Sequence, residues 1–285
     1  MAIQIQTQPP AEPYGIRYLT AVAFPRGHLS YSQIRAYLVC PRKYEHAYIR
    51  EVSVPLNDKL LLGTVFHVVL EWYFRERISG GLPKQNEAED FYVASFQRLC
   101  QEQPLRWDDP RDQVCKRGHA FVRHFIRDLA PQFNPLMVEK ELTAPLEGYP
   151  VELRGVIDLV EQDLSITDFK TATARWSRNR AHHSRLQMVI YHFLFEKNFG
   201  NANSHQRFCV VYSRKGNTVG SQFLEANVDV EDREHLFRVI EHVAEGVRNE
   251  RFPRNEGFRC AYCEFHDHCL GPKPFQRRNH EEKAD

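Results

Sequence analysis

Two aspartates stand out because they lie in runs of otherwise apolar, strand-forming residues. Asp158 lies in the run Arg154–Glu161, and Asp168 lies near the end of the next run, Leu164–Lys170. Two residues separate the runs, which is the spacing of a β-hairpin. A carboxylate is costly to bury without a cationic partner, and Mg²⁺ prefers such hard oxygen ligands. The pair therefore predicts a divalent-metal site.

A lysine beside the second aspartate suggests what the metal site could do. Side chains alternate along a strand, so Asp168 and Lys170 face one side and Phe169 faces the other. An amine next to a metal can orient or deprotonate an attacking water, which is hydrolytic chemistry. An Asp-x-Lys pair alone is more often an exposed strand-end pair, so the surrounding motifs decide.

Composition and charge narrow the classes of protein. The 285 residues are 42% hydrophobic and 12% aromatic, which is enough for a substantial core. The net charge of +1 excludes a globally basic nucleic-acid-binding protein, so any such surface must be local. No apolar run approaches the roughly 18 residues of a membrane span, and the N-terminus lacks a signal-peptide pattern. We expect a soluble, cytoplasmic protein without a membrane partner.

The chain has no internal repeat and no break in composition. We therefore expect one domain over residues 28–272, a loosely ordered segment over 1–27 and a charged tail over 273–285. Periodicity predicts helices over residues 60–78, 86–103, 111–130, 182–198 and 231–250. Strands are predicted over residues 136–144, 151–161 and 164–170, as an antiparallel meander, and over 207–213 and 221–228.

Three late cysteines form a dense cluster. Cys260, Cys263 and Cys269 lie within ten residues, among aromatic side chains. In a cytoplasmic chain such spacing indicates a metal site rather than disulfides. The remaining cysteines apart from Cys40 are expected to be ordinary buried residues: Cys100, Cys115 and Cys209.

A tetrahedral or cubane site needs a fourth ligand, and the residues leave two possibilities open. His266 or His268 could complete a local zinc site. Alternatively Cys40, which Pro41 follows as it follows some iron–sulfur ligands, could close the site and join the two ends of the chain.

Six motifs, in order from Leu29 to Leu270, resemble the PD-(D/E)XK nuclease superfamily and its RecB-like branch with an iron–sulfur cluster. That branch includes CRISPR-associated exonucleases of the fourth Cas family and the nuclease domains of AddAB-type helicase–nucleases. The motifs occupy Ser30 and Ser32 with Cys40–Tyr44, Gly63 with His67, Gly155 with Asp158, Asp168–Thr171, Gln187 with Tyr191, and Cys260–Cys269. Each motif alone is weak, but six in order are specific.

The resemblance implies an α/β fold with a restriction-endonuclease-like core, in which helices flank a central mixed sheet. A helical insert and an iron–sulfur staple between the chain ends would complete it. It also implies that Mg²⁺ or Mn²⁺ binds four groups: His67, Asp158, Asp168 and the Phe169 carbonyl. Lys170 would then position the water, while Gln187 and Tyr191 would brace the site and contact substrate.

Two further residue sets follow from the resemblance. A 4Fe–4S cluster would be held by Cys40, Cys260, Cys263 and Cys269, which favours Cys40 over the local histidines. An acidic residue on the preceding strand would join the metal site, and either Glu139 or Glu141 could be that residue.

The implied activity is a Mg²⁺- or Mn²⁺-dependent DNA exonuclease that acts on single strands or DNA ends, in CRISPR adaptation or in repair and recombination. Endonuclease activity stays open. The chain has no P-loop, so a helicase or CRISPR adaptation proteins would be partners. The alternatives are a catalytically weak DNA-binding scaffold subunit and a zinc-binding interaction protein.

A basic segment after Lys170 could contact DNA. It contains Arg175, Trp176, Arg178 and Arg180. Arginine suits phosphate, and tryptophan suits stacking on an unpaired base. The alternative is a solvated loop and helix start. A weaker second patch is the pair Arg42 and Lys43.

Overall fold

A mixed β-sheet carries the fold. The computed structural model describes residues 24–146, 148–149, 151–200, 205–214 and 218–271. In chain order its strands are β1 (His28–Ser30), β2 (Leu56–Asn57), β3 (Leu105–Arg106), β4 (Pro135–Pro145), β5 (Glu152–Glu161), β6 (Ile166–Ala172), β7 (Gln206–Ser213) and β8 (Val219–Glu225). Strands β2 and β3 form a separate parallel pair, and the other six form the main sheet.

Strand β5 is the branching point of the main sheet. Antiparallel β4 pairs along nearly all of β5, from Glu152 to Glu161. The other edge of β5 is divided between parallel β1, at residues 152–154, and antiparallel β6, at Leu159 and Val160. The main sheet then continues through parallel β7 to antiparallel β8. Between these two partners, residues 155–158 of β5 lie beside an opening in the sheet.

Helices cover both faces of the sheet. They are α1 (Tyr31–Val39), α2 (Pro41–Tyr44), α3 (Asp58–Ile78), α4 (Gln85–Glu102), α5 (Arg111–His124), α6 (Arg178–Phe199), α7 (Val230–Arg248) and α8 (His266–Leu270). Side-chain caps fix four helix starts: Ser30 accepts the Gln33 N–H, Asn57 the Leu60 N–H, Ser177 the Arg180 N–H, and Asp229 the Asp232 N–H. These caps explain why helices begin where the apolar periodicity alone gives no boundary.

Two apolar cores lie on opposite faces of the sheet. One packs α1, α6 and α7 against Ile157, Ile166 and Val210. The other packs α3, α4 and α5 against Leu159 and Phe169. Phe169 stacks on Phe74 with ring centroids 5.9 Å apart, on the face opposite Lys170. The predicted alternation along β6 is confirmed.

Most of the predicted elements are present, with shifted ends. The antiparallel meander of β4, β5 and β6 and the α/β architecture with a mixed sheet are confirmed. Helix α6 begins at Arg178 rather than His182, because Ser177 caps it. The helix predicted over 111–130 ends as α5 at His124 and continues as a π-helical turn, Phe125–Leu129. Of the predicted N-terminal segment 1–27, residues 1–23 lie outside the described residues, as does the whole predicted tail 273–285.

In the described part of the chain, no helix combines the length and apolarity needed to cross a bilayer.

The two ends of the described chain meet. The Tyr37 hydroxyl on α1 donates to the Arg251 carbonyl at 2.8 Å, just after α7. The Arg42 N–H donates to the Pro253 carbonyl at 3.2 Å. Lys43 forms an ion pair with Glu264 at 2.7 Å. The N-terminal helices are thus docked on the C-terminal segment by ordinary protein contacts.

This docking can be tested at Gly246 of α7, against which the Tyr37 ring packs directly. A Cβ at Gly246 would lie 1.8 Å from the Tyr37 hydroxyl oxygen, so Gly246→Ala must displace the ring. We expect a loss of about 1–2 kcal/mol of unfolding free energy in urea titrations, the overpacking cost less the gain in helix propensity.

The matched control is Gly257→Ala, because no atom lies within 4 Å of a Cβ there. We expect this variant to change the unfolding free energy by less than about 0.5 kcal/mol. Wild-type stability of Gly246→Ala would contradict the described packing of α1 on α7.

Candidate active site

Three carboxylates lie at the same level of three neighbouring strands. Val138 pairs with Leu159 and Lys140 with Ile157, which places Glu139 of β4 opposite Asp158 of β5. On the other edge of β5, Leu159 pairs with Thr167, so the next residues along the two strands are Asp158 and Asp168. Like charges directly opposite each other destabilise a sheet. The row therefore needs a cation.

The first carboxylate of the row sits on strained backbone. Glu139 has φ +45°, in the left-handed region, which costs a non-glycine residue about 1–2 kcal/mol. This conformation interrupts the alternation of side chains along β4. Val138 and Leu142 are four residues apart and would face the same side of a regular strand, but they pack into opposite cores. The strain turns Glu139 toward Asp158 rather than into either core. Backbone strain of this kind is concentrated at functional sites.

Helix α3 places a histidine over the row. The Nδ1 atom of His67 lies 3.4 Å from Glu139 Oε1 and 3.6 Å from Asp158 Oδ2. Its Nε2 atom lies 3.0 Å from the Phe169 carbonyl oxygen. Within the described ranges, His67, Glu139 and Asp158 are the one group of three such donors whose ligand atoms all lie within 4.8 Å of one another. They form a candidate metal site.

Asp168 lies beside this group and is paired with Lys170. Its Oδ2 atom contacts the Lys170 Nζ at 2.6 Å, and its side chain is wholly buried. Its Oδ1 atom has no hydrogen-bond partner among the described residues, and an unsatisfied buried acceptor is costly. By contrast, Asp158 Oδ2 accepts the Phe169 N–H at 2.7 Å. A bound divalent ion would satisfy the unpaired oxygen, so these donors fit such an ion.

The pKa values of the site residues are shifted because several carboxylates are buried close together. Burial raises the pKa of Asp168 to about 6, although Lys170 opposes the shift. Burial alone would lower the pKa of His67, but Asp158 and Glu139 outweigh it and raise the pKa to about 9. Burial would likewise lower the pKa of Lys170, yet the two aspartates raise it. In the absence of a metal ion, the protonated His67 and Lys170 side chains therefore offset the negative charge of the carboxylates.

The structure distinguishes the two glutamates that the sequence left open. Glu139 faces His67, as described above. Glu141 forms an ion pair with Arg154 on the neighbouring strand, and both side chains are largely exposed. Glu139 is therefore the acidic residue of β4 that faces the candidate site.

Gln187 and Tyr191 lie behind the carboxylates. Both are buried, and the Gln187 amide donates to the Tyr191 hydroxyl at 2.8 Å. Burial, and then Asp158 and Asp168, raise the pKa of Tyr191. A Cβ on Gly155 would lie 2.7 Å from Leu194 and 3.4 Å from Tyr191, which gives the glycine of Gly-x-x-Asp its role. It lets α6 approach β5 closely.

One residue near the site escaped the sequence analysis. Tyr31, the first residue of α1, has its pKa raised by burial, against the effects of Arg35 and Lys170. It lies close enough to Lys170 and Asp168 for charge interaction, because β1 pairs with the start of β5. The only sequence signal was its place between Ser30 and Ser32.

The basic segment differs from the expectation in one respect. Trp176 is buried and packs on Phe208 with centroids 5.6 Å apart, while the Arg180 guanidinium covers its ring at 4.6 Å. In this arrangement its face is not open to a base, which corrects the stacking role predicted for it. The sequence did not indicate this burial, because the neighbours of Trp176 in the chain are polar and basic.

The arginines of this segment are more accessible. Arg175 and Arg178 are exposed and line a groove of about 900 Å³ beside β8. Arg175 donates to the Gln222 side chain at 2.8 Å. Arg185 lines the same groove but forms ion pairs with Asp229 and Asp232. Of the three arginines that line this groove, Arg175 and Arg178 are the two that belong to the set predicted to contact DNA.

The four predicted cluster cysteines line one cavity of about 200 Å³ between the chain ends: Cys40, Cys260, Cys263 and Cys269. All are free thiols. Asn255 donates its N–H to the Cys40 sulfur at 3.4 Å. The sulfurs do not form a group within 4.8 Å of one another, as the donors around His67 do, and a cluster there stays a prediction. The donor set fits one, because the cavity gathers four thiols.

The sequence matches the PD-(D/E)XK nuclease superfamily model over residues 28–270. The chain belongs to the PD-(D/E)XK nuclease superfamily. This match spans most of the chain and confirms the predicted superfamily. Members of this superfamily use divalent metals, and membership supports a nuclease activity.

One solved structure agrees with this chain on the fold. A protein described as "Putative exonuclease" from Eubacterium rectale is 13% identical, with a TM-score of 0.57 over 88% of this chain and 91% of that chain. A second structure, SSO0001, is 16% identical and covers 72% of this chain and 96% of its own, but its TM-score is 0.35. The search of curated proteins finds no significant match. The first likeness supports the PD-(D/E)XK fold.

The neighbouring glutamates of β4 provide a matched test of the candidate metal site. Glu139→Gln removes a charged donor beside His67, so we expect Mn²⁺ to bind at least about 10-fold more weakly in calorimetric titrations. Glu141→Gln removes the same charge two residues away, in an ion pair with Arg154, and should leave Mn²⁺ affinity unchanged. Equal affinities of the two variants would contradict the assignment of Glu139.

Proposed function

We propose that this PD-(D/E)XK protein is a Mg²⁺- or Mn²⁺-dependent deoxyribonuclease that hydrolyses phosphodiester bonds in single-stranded DNA or at DNA ends. One observation carries the proposal: Glu139, Asp158 and Asp168 lie in a row across three strands, with His67 over the row and Lys170 paired to its end. Such activity would serve DNA processing in CRISPR adaptation or in repair and recombination, with a helicase or adaptation proteins as partners.

The proposed ligands are His67, Glu139, Asp158 and Asp168, with the Phe169 carbonyl. When bound, a divalent ion supplies Lewis-acid stabilisation of phosphate charge and lowers the pKa of coordinated water. His67 Nε2 lies 3.0 Å from the Phe169 oxygen, so this carbonyl is next to the other proposed ligands. The Phe169 N–H fixes Asp158, so that carboxylate is held in place beforehand.

Lys170 is proposed to act as a positioned cation. The raised pKa of its amine keeps it protonated, so it can donate hydrogen bonds to the attacking water and the phosphate oxygens and oppose developing negative charge. Its contact with Asp168 sets its position. Gln187 and Tyr191 are proposed to support the carboxylates from behind, and their contact with substrate stays a prediction.

DNA would approach along the basic segment. Arg175 and Arg178 are exposed in the groove beside β8 and suit phosphate oxygens. Arg180 covers the Trp176 ring, and its side chain is also exposed to solvent. Binding through phosphates alone predicts contact without sequence preference.

The chemistry is tested with end-labelled single-stranded and duplex DNA in Mg²⁺ or Mn²⁺. Asp168→Asn and Lys170→Ala should each lower the cleavage rate at least about 100-fold, because each removes a group that stabilises the transition state. Lys140→Ala is the matched control, since Lys140 is an exposed lysine of β4, and it should cleave at the wild-type rate.

Folding must be intact for this comparison, so thermal melts accompany the assay. Wild-type cleavage by folded Lys170→Ala would refute the assigned chemistry. DNA binding without cleavage by the wild-type protein in either metal would favour the scaffold alternative.

The second part of the proposal concerns the cysteine cavity. Cys40, Cys260, Cys263 and Cys269 are proposed to hold a 4Fe–4S cluster that fastens the chain ends together. Four thiols in one cavity support it. A bound cluster would supply cross-linking between distant segments, and its ligands would add to the contacts already made by Tyr37, Arg42 and Lys43.

Purification without oxygen tests the cluster. The wild-type protein should be brown and contain iron and sulfide, and Cys40→Ser should lose most of both, because one of four ligands is gone. Cys115→Ser is the control, since this thiol lies on α5 away from the cavity, and it should keep its iron. A colourless wild-type protein containing zinc would overturn the iron–sulfur assignment.

A further inference from the structure

His46 is a buried histidine without hydrogen-bond partners. It lies in the π-helical turn Glu45–Ile49, which follows α2, and only 5% of the residue is exposed. Both its Nδ1 and Nε2 atoms lack a partner among the described residues. An imidazole always carries at least one N–H donor, and leaving such a group unpaired in a protein interior costs about 1–3 kcal/mol. The side chain is thus arranged for a partner that the polypeptide does not supply.

The position of His46 indicates where that partner lies. The residue lines the same cavity as Cys40, Cys260, Cys263 and Cys269. The other polar group next to it in sequence is already engaged, because Glu45 forms ion pairs with Arg42 and Arg50. The cavity is also lined by Asn255, Glu256 and Glu264. Glu256 pairs with Arg254 and Glu264 with Lys43, whereas the four thiol sulfurs are the largest set of acceptors in the lining.

A stacked ring fixes the orientation of His46. Phe265 lies between the ligands Cys263 and Cys269 in sequence and is buried. Its ring stacks on the imidazole with centroids 5.6 Å apart and planes 24° apart. The stacking holds the imidazole plane nearly parallel to the Phe265 ring in the wall of the cavity.

We propose that His46 is a positioning residue of the cysteine cavity, which donates a hydrogen bond from its imidazole N–H to a sulfur of the iron–sulfur cluster. This inference rests on the proposed cluster. The four thiols fill the ligand positions of a cubane, so the histidine acts as a donor rather than as a fifth ligand. Hydrogen bonds to the sulfurs set cluster potentials, because they stabilise the extra negative charge of the reduced form.

The test compares three variants purified without oxygen: His46→Leu, His46→Gln and His268→Leu. His46→Leu removes the donor, so the midpoint potential should become more negative, and a chelator should remove iron about 10-fold faster. His46→Gln keeps an N–H donor and should restore a potential close to that of the wild type.

His268→Leu is the spatial control. Its ring centroid lies 6.4 Å from that of His46, but the residue is exposed and lies outside the cavity lining. We expect a wild-type potential and wild-type iron release. An equal shift in His268→Leu would mean that any local histidine change moves the potential, which contradicts the proposal.

The remaining outcomes are also decisive. An iron-containing His46→Leu protein with an unchanged potential would overturn the inference and leave the cluster standing. If His46→Leu holds no iron, His46→Gln decides: a wild-type potential supports the donor role, and loss of iron there as well contradicts it. A wild-type protein without an iron–sulfur cluster removes both the cluster and the inference, whereas Mn²⁺ binding at His67 and Glu139 remains separately measurable.

Discussion

Electrostatic repulsion among Glu139, Asp158 and Asp168 is the constraint on which the centre of this molecule depends. Two unit charges 4 Å apart near a protein surface repel by about 4 kcal/mol, and here strand register aligns three carboxylates. The neighbouring groups all reduce that cost. His67 approaches from α3, the Lys170 ammonium pairs with Asp168, and the Phe169 N–H binds Asp158. These groups leave Asp168 Oδ1 without a hydrogen-bond partner among the described residues, so this oxygen is available to a metal ion.

The branching of the sheet at β5 explains why the carboxylates can meet there. Beyond Leu159 the β5–β6 ladder stops, and the side chain of Asp158 takes the N–H that a backbone carbonyl would otherwise accept. Helix α6 packs closely on β5 at this level because Gly155 has no side chain. The site thus forms where regular pairing ends, and the left-handed backbone at Glu139 is a local cost of that departure.

Much of this arrangement could be predicted from the residues. The hairpin, the shared face of Asp168 and Lys170, and the helix that carries His67 follow from periods of two and of about 3.6 residues. The choice of Glu139 over Glu141 could not be predicted, because alternation gives both the same face and only the positive φ separates them. Trp176 was misassigned because its burial depends on Phe208, which lies on a strand distant in sequence. Likewise, no local signal reports the pairing of β1 with β5.

The meeting of the chain ends has a consequence for biosynthesis. Tyr37 and the backbone group it binds at Arg251 are 214 residues apart, so the ribosome releases helix α1 long before its partner exists. Until α7 is made, the part of α1 that packs on it has no partner. Contacts so distant in sequence slow folding and leave nascent chains prone to association. Nascent chains stalled before α7 should therefore be the form that chaperones hold.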